Sequence, residues 1–300
     1  MNDTNKPLIS LIIGGFILAL SGVAVAYGTM GTSAMGFYRM LLGGIALAIV
    51  AISKKLSFSV SRKTLFYACL AGCALALDLY WWHKSIRMVG PGLGAILTNC
   101  QSFSLAIFGY FLFKERITVI YFVSLLMSML GIGLISGAGV LADQGTNLSG
   151  DYILGVVLGL ASAVAYALCV VSIKLSQSPK QTVHPIVNMV YLCGAATIFL
   201  FVAAAMEGES LVIPDSKNLF TVLAYGLIVQ GIAWLMVSSA VPHVKTSIAG
   251  LILLAEPVGT YLVDLMFFSA KLTSVSFIGI VLTISAIYFG SQYGTAKTST

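Results

Sequence analysis

The chain has 300 residues, with 16 Lys and Arg against 10 Asp and Glu, a formal net charge of +6, and 59% apolar but only 9% charged residues. Soluble domains carry about 25% charged residues, so a mean hydropathy of +1.00 excludes that class, and Gly and Pro scattered without a period exclude a collagen-like or disordered chain. The excess positive charge is spread over short loops between apolar runs, which makes no basic face for nucleic acid.

In chain order, apolar stretches recur at 8–27, 34–52, 65–86, 91–112, 118–137, 152–173, 184–205, 219–240, 247–268 and 274–291. Each is close to the ~20 residues that cross a bilayer. The expectation is an all-α polytopic membrane protein with ten transmembrane helices and no soluble catalytic domain. The first run ends in Ala24-Val25-Ala26, a small-residue pattern like a signal-peptide cleavage site, but it is longer than the usual ~7–15 apolar residues and is read as an uncleaved helix.

Ionisable groups inside spans are expensive and are candidates for function. The second span carries Arg39, beside Tyr38; the third carries Asp78, followed by Tyr80, Trp81, Trp82 and His83. Arg39 and Asp78 lie at similar depth. They can form a buried ion pair that locks two helices, or a pair in which substrate or proton competes with Arg39 for Asp78. Asp78 with Trp81 and Trp82 at i+3 and i+4 offers charge and cation–π attraction to an amine, although Trp near a span end is also an interfacial anchor. His83, alone at the end of the run, is expected to be solvated.

The fourth span, opened by Pro91, places Asn99, Gln101 and Ser102 in an apolar setting, either as ligand groups or as polar glue between helices. Gln230 and Trp234, one turn apart, are the corresponding candidates in the eighth span. In the ninth, Glu256 precedes Pro257, which frees the carbonyl of Leu253 and is expected to kink the helix. Glu256, Thr260 and Asp264 at i, i+4 and i+8 make one face able to pass protons. The alternative for Glu256 is a protonated carboxyl that joins the two halves. Cys69, Cys73, Cys100, Cys169 and Cys193 all lie in apolar runs without His or carboxylate to complete a ligand set, so no metal and no cofactor is expected.

With the N-terminus in the cytoplasm, eleven Lys and Arg, including Lys54, Lys55, Lys114, Arg116, Lys180 and Lys297, fall inside and four, Lys84, Arg87, Lys217 and Lys271, fall outside. Asp143 falls in an external loop. A shift of 155 positions aligns Phe113-Lys114-Glu115-Arg116-Ile117-Thr118 with Phe268-Ser269-Ala270-Lys271-Leu272-Thr273, and Gln101 with Glu256. Residues 1–140 and 141–300 are thereby read as two five-helix repeats, the second inverted because five is odd.

These features, with Lys114-Glu115-Arg116-Ile117-Thr118 after the fourth span and Ala255-Glu256-Pro257-Val258 in the ninth, resemble the EamA-type members of the drug/metabolite transporter superfamily. The resemblance implies an inner-membrane protein with both termini cytoplasmic that moves small metabolites, often outward. Two departures are that Ala270 stands where an acidic residue is expected and that the first span lacks the usual Trp-Gly.

The leading expectation is a secondary active transporter, monomer or homodimer, without an ATP site, exporting an amine-bearing or aromatic metabolite by proton exchange. It would work by alternating access around a cavity lined by the third, fourth, eighth and ninth spans. Tyr38, Asp78, Tyr80, Trp81, Trp82, Asn99, Gln101, Gln230 and Trp234 would bind substrate, while Glu256 and Asp264 would carry protons. The alternatives are an uncoupled uptake facilitator or exchanger for a cation such as choline or S-adenosylmethionine, an intramembrane enzyme using Asp78 and Glu256 as acid and base, and a non-transporting scaffold.

Overall fold

The computed structural model describes residues 6–137, 150–178, 183–267 and 272–293. Asp143, Lys180, Phe268, Ser269, Ala270, Lys271 and Lys297, which entered the charge and repeat readings, lie outside them. Among the described residues the chain is helical, and nine helices are long and apolar enough to span a bilayer. The first apolar run is two shorter helices, Lys6–Leu18 and Leu20–Tyr27, interrupted at Ala19. Ile49, Phe66, Leu130 and Ile198 are each more than 60% exposed, as side chains facing hydrocarbon are. The protein is an all-α, multi-pass membrane protein.

The chain clusters into two compact units, each drawing on both halves of the sequence. The first comprises Met1–Tyr80 and Leu168–His243, the second Trp81–Ala167 and Val244–Thr300.

In the first unit the second span, Thr32–Ser53, packs along the seventh, Pro185–Met206; each has 22 residues. A Cβ on Gly36 would touch Leu200 and one on Gly44 would touch Cys193, so the two helices run antiparallel. Their ends mirror one another. The Tyr38 hydroxyl donates to the Leu211 carbonyl at 2.6 Å, and Tyr191, 153 positions after Tyr38, donates to Phe58, 153 positions before Leu211, also at 2.6 Å. Both helices end in a left-handed residue, Lys55 at φ 53° and Gly208 at φ 67°. There Leu56 and Glu209 donate their N–H groups to Ala51 and Ala204. Reciprocal contacts of this kind are what a two-fold relation produces.

The eighth span, Ser216–His243, opens on Asp215, whose Oδ1 accepts the Asn218 N–H at 2.7 Å. That backbone hydrogen bond, with one from the Asn218 side chain, holds the exposed Asp215 carboxyl below its ordinary range. A carboxyl lowered on folding stabilises above its unfolded pKa of about 3.9 and loses that contribution as pH falls through the lowered value. Amide-exchange protection at Asn218 is therefore expected to persist at pH 4 and to fall only in stronger acid. Asp215→Ala should remove it at every pH; equal protection in both proteins would refute the cap.

In the second unit the fifth span, Val119–Gly137, packs along the tenth, Ser274–Tyr293, again antiparallel. A Cβ on Gly290 would meet Ser124, and one on Gly279 would meet Ile135. Shifting both members by 155 converts one pair into the other. Between them Thr283 Oγ1 reaches the carbonyl of Ser128, its own mate at that shift, at 3.5 Å. Small residues at this seam let backbones approach where no hydrophobic force drives helices together.

The fourth and ninth spans of the second unit are both interrupted. The fourth consists of Pro91–Asn99 and Gln101–Phe113, the ninth of Thr246–Leu253 and Ala255–Phe267. The break at Leu254 lies where Pro257 deprives the Leu253 carbonyl of its donor, as expected. The break at Cys100 was not expected, since no proline is in reach. There Thr98, Asn99 and Cys100 each turn a side-chain donor onto the carbonyl four residues back, at 3.0, 2.7 and 3.6 Å, and such back-bonding bends helices.

Candidate functional site

Within the first unit, polar side chains converge on Arg39. Its residue is 3% exposed, although it lies in a membrane span. Arg39 Nε donates to Gln230 Oε1 at 3.0 Å and Nη1 donates to the Tyr225 hydroxyl at 2.9 Å, with the guanidinium carbon 4.7 Å from the centre of the Tyr225 ring. Gln230 in turn donates from Nε2 to Cys193 Sγ at 3.5 Å. Asp78, 5% exposed, belongs to the same unit, and both it and Arg39 lie within electrostatic reach of Cys169.

The backbone explains why Tyr225 and Gln230 face one arginine. Residues Tyr225–Ala233 form a π-helix inside the eighth span. Two residues five apart are roughly 140° apart around an α-helix, but one turn apart on a π-helix, whose hydrogen bonds join i to i+5. Close approach of the second span completes the arrangement. A Cβ on Gly43 would lie 2.7 Å from Gln230 Cβ, and one on Gly226 would lie 2.7 Å from Leu42 Cβ. Beside the π segment is an apolar cavity of about 290 Å³, lined by Leu20, Ala24, Phe220, Ala224, Tyr225 and Ile228 among others.

The remaining candidates of this unit are placed differently. Tyr38 spends its hydroxyl on Leu211, Trp234 is fully buried just beyond the π segment, and Tyr80 is half-buried at the unit's edge. Tyr225 has no place among the sequence candidates, and Cys193 enters there only as one of five cysteines in apolar runs. A tyrosine and a cysteine in apolar runs carry no pattern, and the π segment YGLIVQGIA reads like any other glycine-containing apolar stretch of a span.

In the second unit Trp81 and Trp82 are half-buried, and the Trp82 ring tilts 39° against that of His83 with centroids 4.8 Å apart. His83 is 7% exposed and is not solvated as expected; its ring lies against that of Trp82 on the same helix. Asn99 uses its amide on its own helix, whereas Ser102 donates to the Gly250 carbonyl of the ninth span at 2.8 Å. Gln101, 3% exposed, keeps a buried Oε1 that no donor among the described residues reaches. Glu256 is half-buried and, like Gln101, stands in the first turn after a helix break. Asp264 is half-buried further along that helix.

The second unit also contains a buried carboxylate whose role the motif alone did not disclose. Glu115, after the left-handed Lys114, accepts the N–H groups of Thr246 and Ser247 and the Ser247 hydroxyl, the last two at 2.9 and 2.6 Å. It therefore caps the positive end of the ninth span. Ser247's carbonyl accepts the Tyr121 hydroxyl at 3.0 Å. Among the described residues no group of His, Cys, Asp and Glu could hold a metal ion.

This arrangement of interrupted spans and mirrored contacts can be set beside known proteins. The EamA-like transporter family matches residues 5–137 and again 153–291. The chain belongs to that family. A Haemophilus influenzae protein named as an uncharacterized transporter is 24% identical over 85% of this chain and 84% of its own length. The uncharacterized transporter YvbV of Bacillus subtilis is 22% identical over 92% of this chain and 87% of its own. A solved crystal structure superposes with a TM-score of 0.83 over 97% of each chain at 16% identity, a likeness of fold. This EamA-like protein is a membrane transporter.

Proposed function

We propose that this EamA-like protein is a secondary active transporter of small amine-bearing or aromatic metabolites, working by alternating access between two inverted repeats, residues 1–140 and 141–300. It exports its substrate in exchange for protons across the inner membrane, with both termini cytoplasmic, and has no enzymatic activity. Glu256 takes up and releases the coupling proton, with Asp264 further along the same helix. The Arg39, Asp78 and Gln230 group recognises substrate.

One observation carries this reading: the polar group of the first unit breaks the internal symmetry. When equal-length spans are matched end to end, Arg39 falls on Leu192, Gln230 on Ala76, Tyr225 on Ala71 and Asp78 on Ile232. A repeat scaffold does not need buried charge at those places, and charge in a span is costly to keep. The antiparallel, reciprocal packing of the second span on the seventh and of the fifth on the tenth supports the inverted repeat.

The test is solute efflux from reconstituted vesicles loaded with a defined mixture of aromatic and alkyl amines and carboxylates, followed by mass spectrometry with and without an imposed pH gradient. At least one solute is expected to leave faster with protons supplied outside, and Glu256→Gln is expected to reduce that rate to the gradient-free value. Gradient-driven efflux unchanged in Glu256→Gln would remove the residue from coupling. Loss of every solute at the protein-free rate would refute transport of these classes.

A further inference from the structure

We propose that the buried Arg39 group and the cavity beside the π-helix form one binding site for an amphipathic monocarboxylate. The carboxylate would sit on the Arg39 guanidinium and the apolar body in the cavity, with Tyr225 as the side chain joining the two. This narrows the transporter reading to its aromatic branch, with a carboxylate in place of an amine at the Arg39 group, and rests on it for the fate of the ligand, but recognition can be measured without transport.

Three observations converge on this site. First, Gln230 and Tyr225 are neutral acceptors. They take one N–H each of the five that a guanidinium carries, and so orient the fork while leaving its charge for an anion; a planar fork matches a carboxylate with two parallel hydrogen bonds. Second, Tyr225 belongs to both places, since its hydroxyl accepts from Arg39 and its side chain lines the cavity. Third, the cavity selects for an uncharged body and against a cation. Its walls are almost wholly apolar, with Phe220, Ala224 and Ile228 exposed along its open side, and at about 290 Å³ it has room for a phenyl ring and a short chain. Lys217 Nζ stands 5.3 Å from the centre of the Tyr27 ring, which also lines it, so an amine entering there meets positive charge at that wall and again at Arg39.

The asymmetry of the repeats sharpens the assignment. The third span, which matches the eighth in its 28 residues, is an uninterrupted α-helix with alanines at the positions of Tyr225 and Gln230. The π segment is thus confined to the one copy that faces an arginine. A ligand carboxylate brings a compensating charge to the buried guanidinium, which in a low-dielectric setting offsets part of the cost of keeping an arginine there.

The experiment uses purified full-length protein in detergent, with calorimetry and thermal unfolding as readouts. The probes are 3-phenylpropanoate, hexanoate, 3-phenylpropylamine and 3-phenylpropanamide. Both acids are expected to bind and to raise the unfolding temperature, while the amine and amide do not. Arg39→Gln is expected to weaken acid binding about a hundredfold, the scale of truncating one side of a buried charged contact. Because that variant can fail to fold, Ala224→Phe, which fills the cavity away from the guanidinium, provides the second arm. It should unfold at the native temperature yet lose 3-phenylpropanoate.

Equal binding of amine and acid, or acid binding unaltered in Ala224→Phe, overturns the site. Oleate is the membrane source of the same chemistry, and stabilisation by oleate with none by the short acids overturns the metabolite form. Efflux of amines without acid binding sinks this inference and spares transport. Acid binding without any vesicle efflux does the reverse.

Discussion

Glu115→Ala is expected to cost about 3–5 kcal/mol of stability, the scale of removing one partner from a buried charged contact. The carboxylate receives two backbone N–H groups and a hydroxyl at the start of the ninth span, and both Thr246 and Ser247 are fully buried. Without it those donors have no water to turn to, and the positive end of the helix that they form is left unscreened. Glu115→Gln keeps the shape but replaces one acceptor by a donor, so roughly half that loss is expected. Denaturant unfolding in micelles measures both, and values within ~0.5 kcal/mol of the native protein would dismiss the cap. A Cβ on Gly109 would lie 2.6 Å from Glu115 Oε2. Gly109→Ala should therefore displace the carboxylate and be strongly non-additive with Glu115→Ala.

The same contact accounts for a difference between the two stretches related by the shift of 155 positions. Pro91 opens the fourth span where Thr246 opens the ninth, and Ala270 stands where Glu115 does. Proline has no N–H to satisfy, so the copy that begins its helix with proline has less need of a capping carboxylate.

Gly131→Ala is expected to destabilise by about 1–3 kcal/mol, and Gly131→Leu by more. Its Cβ would lie 2.2 Å from Thr283 Oγ1 and 2.6 Å from the Gly279 carbonyl, and a backbone oxygen cannot rotate away as a side chain can. Gly133, two residues on, has nothing within 4 Å of its Cβ. Gly133→Ala should be neutral or stabilising by roughly 0.5–1 kcal/mol, from helix propensity alone. Thermal unfolding of the pair decides the matter: if the two alanines behave alike, the fifth and tenth spans are not packed through these glycines.

Much of the architecture is legible in the amino-acid sequence. The spans follow from apolar run length, and the kink at Pro257 follows from a missing N–H. Arg39, Asp78 and Gln230 stand out because polar groups in spans are rare. The interruption at Cys100 was not legible, since Thr98, Asn99 and Cys100 bend the helix only when their side chains turn back on their own carbonyls. The solvated reading of His83 also failed, because sequence position near a span end does not say which face of the helix meets a neighbour.

The amino-acid sequence by itself determined the solvent this protein lives in, its helical class, the approximate span ends and the doubling of its plan, because these depend on composition and on period along one dimension. Only the tertiary structure decided that Arg39 meets Tyr225 and Gln230, residues 186 and 191 positions away, and that Glu115 closes the start of the ninth span. Those contacts depend on helix phase, and a nine-residue π segment shifts that phase without leaving a mark in the residues that adopt it.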